Sequence, residues 1–264
     1  MIIDCHTHVW PDAIAERALG PAVPDLPRHG DGRVASLLDS MSQAGVDASI
    51  CLGVADGPNR VEATNRFAAG LEAGKLIGFG SLHPDLEPEE VVASLRQKGL
   101  KGVKIHPLFQ HYSLEDRRLA AILDAFGDEF VAIVHLGPAG GTPEAEHHYC
   151  SPDKVAYLVR EFPRLRLIAC HFGGYRMLSE AEDLVVGLPV YLDTSWPPSL
   201  ATLDRERVRK VIQRHDAERV VFGSDWPVAS QADEIAAVEA LRLGSDDTEA
   251  VLGGNLARLL GIGA

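Results

Sequence analysis

The sequence predicts an α/β protein of the (β/α)8 type, a TIM barrel, as one domain over residues 1–264. Three observations carry that expectation. Eight short apolar, β-branched runs recur along the chain. An amphipathic helical stretch separates each run from the next. Polar residues able to bind metal or protons gather at the ends of the runs rather than scattering over the helices.

The strand-like runs lie near residues 2–8, 48–54, 76–82, 102–106, 130–136, 165–171, 190–194 and 219–224. Several are apolar on both faces, as in Phe130-Val131-Ala132-Ile133-Val134 and Leu165-Arg166-Leu167-Ile168-Ala169-Cys170. Parallel strands read this way because helices cover both sides of the sheet. Helices are expected near 33–45, 60–74, 88–98, 115–127, 152–162, 174–186, 199–215 and 231–243. In the first, Val34, Leu37, Leu38 and Met41 keep helical spacing and Gly45 supplies a stop. Ser151-Pro152 reads as a cap followed by proline at the first helical position. Glu87-Pro88-Glu89-Glu90 places carboxylates where a helix dipole favours them. A last helix is expected near 246–260.

Eight βα units in a chain of this length are what the barrel needs. A doubly wound open sheet is the alternative, but no glycine-rich phosphate turn follows the first strand. The irregular stretches 9–32 and 137–151 follow strand ends, which in a barrel are the catalytic-face loops.

Composition narrows the function classes. The net charge is −13, with no basic run, so phosphate backbones are repelled and nucleic-acid binding is disfavoured. Cys5, Cys51, Cys150 and Cys170 form no CxxC pattern and no disulfide framework. No signal peptide and no membrane-spanning apolar stretch is read, so a cytoplasmic protein with a small-molecule substrate is expected. A homodimer is compatible with such barrels, though no interface pattern marks one.

The chemistry starts at His6-Thr7-His8. Alternate residues of a strand share a face, so His6 and His8 point the same way, about 7 Å apart. Two imidazoles on one face form half of a metal site. Other strand ends carry Ser81 and His83, Lys104 and His106, His135, His171, Asp193 and Ser195, and Ser224 and Asp225. Because seven of the eight strand ends carry such groups, a metal site at the C-terminal face is expected. With Asp225 inward, Gly223 and Val221 also face in, leaving room for ligands from other strands.

Five motifs, in order and spacing, are similar to those of the amidohydrolase superfamily. They are Asp4-Cys5-His6-Thr7-His8, Gly102-Val103-Lys104-Ile105-His106-Pro107, Val134-His135-Leu136-Gly137, Cys170-His171-Phe172-Gly173-Gly174 and Gly223-Ser224-Asp225-Trp226-Pro227. The chain more narrowly resembles the branch that includes aminocarboxymuconate-semialdehyde decarboxylase and related metal-dependent hydrolases. The resemblance implies one divalent ion held by His6, His8, His135 and Asp225, with His171 beside the water it activates. It implies zinc most often, and manganese in some decarboxylating relatives. Three imidazoles and a carboxylate suit such an ion. Asp225 and His171 are then the catalytic pair, Asp225 as proton carrier.

Lys104 has two readings: a carboxylated lysine bridging a second metal, as in some amidohydrolases, or a buried ammonium paired with Asp4. The second is favoured, because one metal completes the motif. Trp10, Trp196 and Trp226 each follow a strand end and suggest an aromatic pocket wall. His106 is expected to touch substrate or the groups behind the ligands without being a ligand itself, and Arg176 or Arg60 could hold a substrate carboxylate. His83-Pro84 is also a plain way to end a strand. Gly140-Gly141 and His147-His148-Tyr149 suggest a mobile, substrate-touching loop. Whether Asp193 faces the pocket or the helices is not decided by strand phase.

Hydrolysis of a small ester, lactone or amide is the leading function. Non-oxidative decarboxylation of an aromatic or unsaturated acid at the same metal is the alternative. A TatD-like nuclease is disfavoured by charge and by the lack of a glutamate ligand at strand 4. A barrel that only binds a ligand is disfavoured by the complete ligand set.

Overall fold

Eight parallel strands form in the order the sequence spells them. They are β1 (Ile3–Thr7), β2 (Ala48–Leu52), β3 (Leu76–Ser81), β4 (Gly102–Ile105), β5 (Val131–Val134), β6 (Arg166–Ala169), β7 (Tyr191–Asp193) and β8 (Val220–Val221). Neighbours in sequence are neighbours in the sheet. The segment after β8 returns to β1, through Cys5 N to Phe222 O at 2.8 Å and Asp225 N to His6 O at 2.8 Å. The fold is the expected (β/α)8 barrel. In this computed structural model the described residues are 1–22, 26–71, 74–139 and 148–262.

Every residue of β1, β2, β4 and β5 is buried. That burial explains why these runs are apolar at successive rather than alternate positions. In-register pairing runs from β4 to β5 (Gly102 with Val131 through Ile105 with Val134) and from β5 to β6. No helix among the described residues is long and apolar enough to cross a membrane. All four cysteines are buried.

The helices follow the expected ranges, with four informative departures. A helix at Ala15–Ala22 lies inside the stretch read as irregular. The helix expected from 174 begins at Leu178, because Gly173 and Arg176 take positive φ values of 85° and 55° that an α-helix cannot hold. The stretch expected to start at 199 opens as a short 3-10 turn, Leu200–Thr202, before helix Arg205–His215 capped by Asp204. The last helix is broken into Ser245–Glu249, a π turn at Ala250–Gly254 and Asn255–Leu260. The widened turn lets Gly253 approach the start of β1; a Cβ there would stand 2.4 Å from the Met1 carbonyl oxygen.

The chain packs as two compact units. One is Met1–Cys51 with Glu72–Ile77 and Asp193–Ala264; the other is Leu52–Leu71 with Gly78–Leu192. In the first, helix Val34–Ala44 packs on helix Gln231–Ala240, joined by Ser40 Oγ to Gln231 at 2.9 Å. Asn255 ties the last helix to β8 by donating to the carbonyls of Ala217 and Val220. In the second, Asn65 bonds Ser81 through both amide atoms and so holds helix Pro58–Ala69 to the end of β3.

Candidate functional site

Each unit presents its own cluster of strand-end side chains. In the first, β1 carries His6, fully buried, and His8 follows, half-buried. Asp225 follows β8 with φ 67°, a left-handed conformation that aspartate tolerates better than most residues. Strain of this kind collects at functional sites. One oxygen of Asp225, Oδ1, lies 3.4 Å from His6 Nε2 and 3.4 Å from His8 Nε2.

Those separations are informative. They are long for N–H···O hydrogen bonds, which cluster at roughly 2.7–3.2 Å. Two ligand atoms bound to one zinc ion at about 2.0–2.2 Å and a tetrahedral angle stand roughly 3.3–3.6 Å apart. One Asp225 oxygen therefore stands at ligand-pair distance from a ring nitrogen of His6 and from one of His8. The ring of His6 is fixed from behind by Asp193 Oδ2, 2.8 Å from Nδ1. Asp193 thus points at His6, which strand phase alone had left open.

Beneath these groups, Asp4 is fully buried. It accepts from Ser224 Oγ at 2.6 Å, Gln231 Nε2 at 2.8 Å and the amides of Ser224 and His6 at 3.0 Å. Burial pushes its pKa up to about 6, against the lowering effect of those bonds. Within its own unit Asp4 is thus bonded by neutral donors. Sequence reading missed Ser224 and Gln231 as its partners, because a serine after a strand and a glutamine on a helix carry no chemical signature.

The three tryptophans have distinct places. Trp10 is partly exposed and stacks on His8, with ring centroids 6.1 Å apart. Trp196 is buried. Trp226 is fully buried against Gly30, where a Cβ would come within 2.1 Å of the indole. It therefore backs the loop above it and presents no free surface as a wall.

In the second unit, His106 and His135 stack in parallel, with centroids 4.0 Å apart and planes 8° apart. His135 Nε2 is 3.2 Å from the Gly137 carbonyl, which can only accept, so this nitrogen carries a proton. Its Nδ1 lies 3.1 Å from His171 Nε2. His171 has φ 58°, so this strand end, like that of Asp225, is left-handed. His106 is positioned by Gln110, whose Oε1 accepts from its amide at 3.0 Å and from Tyr112 at 2.9 Å. Burial pushes the Tyr112 hydroxyl pKa up, keeping it a neutral donor. Lys104 is fully buried and its Nζ lies 3.0 Å from Cys170 Sγ.

Arg176 is exposed, its guanidinium 5.2 Å from the Tyr175 ring, and Tyr175 in turn lies against His171. Arg60 is exposed near Asp56. His83 accepts from the Asp85 amide at 3.2 Å, the strand-ending role noted above. In the 137–151 loop, Gly140, Gly141 and His147 lie outside the described residues, while His148 is exposed.

The family model described as Amidohydrolase matches residues 3–262. The chain belongs to the amidohydrolase family. It is an enzyme of the amidohydrolase type, as the five motifs imply. Among curated proteins, none matches. Solved structures share the family's fold. A TIM-barrel protein from Bordetella bronchiseptica is 18% identical, with 98% of each chain covered and a TM-score of 0.77. A candidate 2-pyrone-4,6-dicarboxylic acid hydrolase from Pseudomonas putida is 20% identical, covering 98% of this chain and 97% of its own, with a TM-score of 0.69. A dihydroxybenzoic acid decarboxylase from a Polaromonas species, solved with manganese and 2-nitroresorcinol, is 15% identical, covering 98% and 96%, with a TM-score of 0.73. At these identities the likeness is one of fold.

Proposed function

We propose that this amidohydrolase is a metal-dependent hydrolase of a small, carboxylate-bearing ester, lactone or amide. His6, His8, His135 and Asp225 hold one divalent ion, zinc in the first instance and manganese as the alternative. The observation that carries this reading is the shared oxygen of Asp225, 3.4 Å from both His6 Nε2 and His8 Nε2. Four buried thiols suit a reducing cytoplasm.

A divalent ion at such a site supplies water activation, lowering the pKa of a bound water from 15.7 to about 7. The remaining work falls to the chain. Asp225 accepts the proton of the attacking water and delivers it to the leaving group. His171 orients that water or polarises the substrate. Arg176, exposed beside Tyr175, meets a substrate carboxylate in this reading.

Decarboxylation of an aromatic or unsaturated acid is a second reading. It is favoured by the fold shared with the dihydroxybenzoic acid decarboxylase and by that protein's manganese. The fold shared with the pyrone dicarboxylic acid hydrolase favours the first. One experiment separates them. Chelated protein is reloaded with zinc or manganese and assayed on lactones, amides and aromatic acids. Water addition without gas release supports hydrolysis; CO2 release without net water addition overturns it.

A further inference from the structure

Asp193 ends β7 fully buried, outside the ligand set proposed above. Its Oδ2 is 2.8 Å from His6 Nδ1. Its Oδ1 accepts from the Ser195 hydroxyl at 2.7 Å and the Ser195 amide at 3.2 Å. Ser195 Oγ is itself 3.1 Å from His6 Nδ1. With its proton directed to Asp193, that hydroxyl can only accept from the ring. An ionised carboxylate also only accepts. These two neighbours of Nδ1 therefore favour a proton there. A neutral imidazole protonated at Nδ1 keeps its lone pair on Nε2. Nε2 is the atom facing Asp225, 3.4 Å away. Gly223 completes the arrangement: a Cβ there would stand 3.0 Å from His6 Cβ and 3.4 Å from Asp193 Cβ. Glycine thus leaves room beside the strand for the His6 ring and the Asp193 carboxylate, which a methyl group would crowd.

We propose that Asp193, braced by Ser195, is the positioning residue that fixes the tautomer of His6 and so sets the affinity of the site for its ion. The proposal rests on the one-metal reading above. Ligating histidines owe orientation and basicity to such partners, and losing one costs about 10–100-fold in metal affinity.

The test uses the full chain. Ring nitrogens of His6 are assigned by long-range 1H–15N correlation in metal-stripped protein. Zn2+ and Mn2+ affinities are measured by competition with a chromophoric chelator. Wild-type His6 is expected to carry its proton on Nδ1. Asp193→Ala is expected to lose that signature and bind zinc about 10–100-fold more weakly. Ser195→Ala stays within about fivefold of wild type, because Asp193 still accepts. A wild-type His6 protonated on Nε2 alone overturns the proposal without any variant, so it stays testable even if Asp193→Ala fails to fold. Equal affinity in Asp193→Ala and wild type also overturns it, while leaving the metal reading intact. A wild-type chain that takes up neither ion overturns the metal reading and the proposal together.

Discussion

Ser224 Oγ donates to Asp4 Oδ2 over 2.6 Å, joining β1 to the segment after β8 across 220 positions of sequence. The same hydroxyl accepts from the Trp226 amide at 3.0 Å. One serine thus ties the strand bearing His6 and His8 to the turn bearing Asp225. A hydrogen bond to a charged group contributes about 1.5–3 kcal/mol, and its buried partner loses more when left unmatched. Ser224→Ala should therefore destabilise the fold by about 2 kcal/mol. Urea denaturation checks this; a midpoint equal to wild type would remove the serine from the junction.

Glu234 lies buried on helix Gln231–Ala240 and accepts from the Leu200 amide at 2.9 Å. Burial pushes its pKa up to about 7, partly offset by bonds from Ser199 and Leu200. The folded chain therefore holds this proton more tightly than the unfolded chain. Its contribution to stability is full below the ordinary pKa of 4.5 and is lost as pH rises through about 7. Glu234→Gln removes that slope. Between pH 4.5 and 8 the stability difference between wild type and variant should move by on the order of 2 kcal/mol, to the disadvantage of wild type. Denaturation curves at the two pH values test it, and a pH-independent difference would contradict it.

Gly137 follows the strand end that carries His135. Its φ is 92°, and a Cβ there would stand 2.2 Å from the Tyr175 carbonyl oxygen, a backbone atom that cannot swing away. Gly137→Ala combines left-handed strain of about 1–3 kcal/mol with displaced backbone. The variant should melt lower by several degrees and lose the contact between the Gly137 carbonyl and His135. Unchanged melting would show that the loop relaxes freely.

Much of this was legible in the sequence. Each of the eight runs became a strand, because two-sided burial writes itself into composition. The motif histidines sit at strand ends, as expected. Sequence was weaker where backbone conformation decides. Arg176 adopts a positive φ that its residue type does not announce, so the sequence starts helix Leu178–Leu184 too early. Gly253 falls inside the single helix expected over 246–260, yet it admits the start of β1. The direction of Asp193 was undecidable because β7 has only three residues, too short for alternation to fix a face. Asp4 is held by a serine, a glutamine and two amides, partners that a search for opposite charges does not find.

Asp225 is assigned two tasks, metal ligation and proton transfer. Asp225→Asn keeps the shape and a ligating oxygen but cannot take up a proton. The variant should fold with wild-type melting in the stripped state and lose turnover by about 10²–10⁴-fold. Circular dichroism and steady-state rates on the substrate found in the panel check both halves. Near-normal turnover would refute the proton-carrier role.

One ion held by His6, His8, His135 and Asp225 is the core of the proposed chemistry. Metal content per chain, measured by elemental analysis after chelation and reloading, tests it most directly. One zinc or manganese per chain is expected, with activity returning in step with uptake. Two ions per chain would promote Lys104 to a bridging carbamate, and none would remove the metal centre; either result contradicts it.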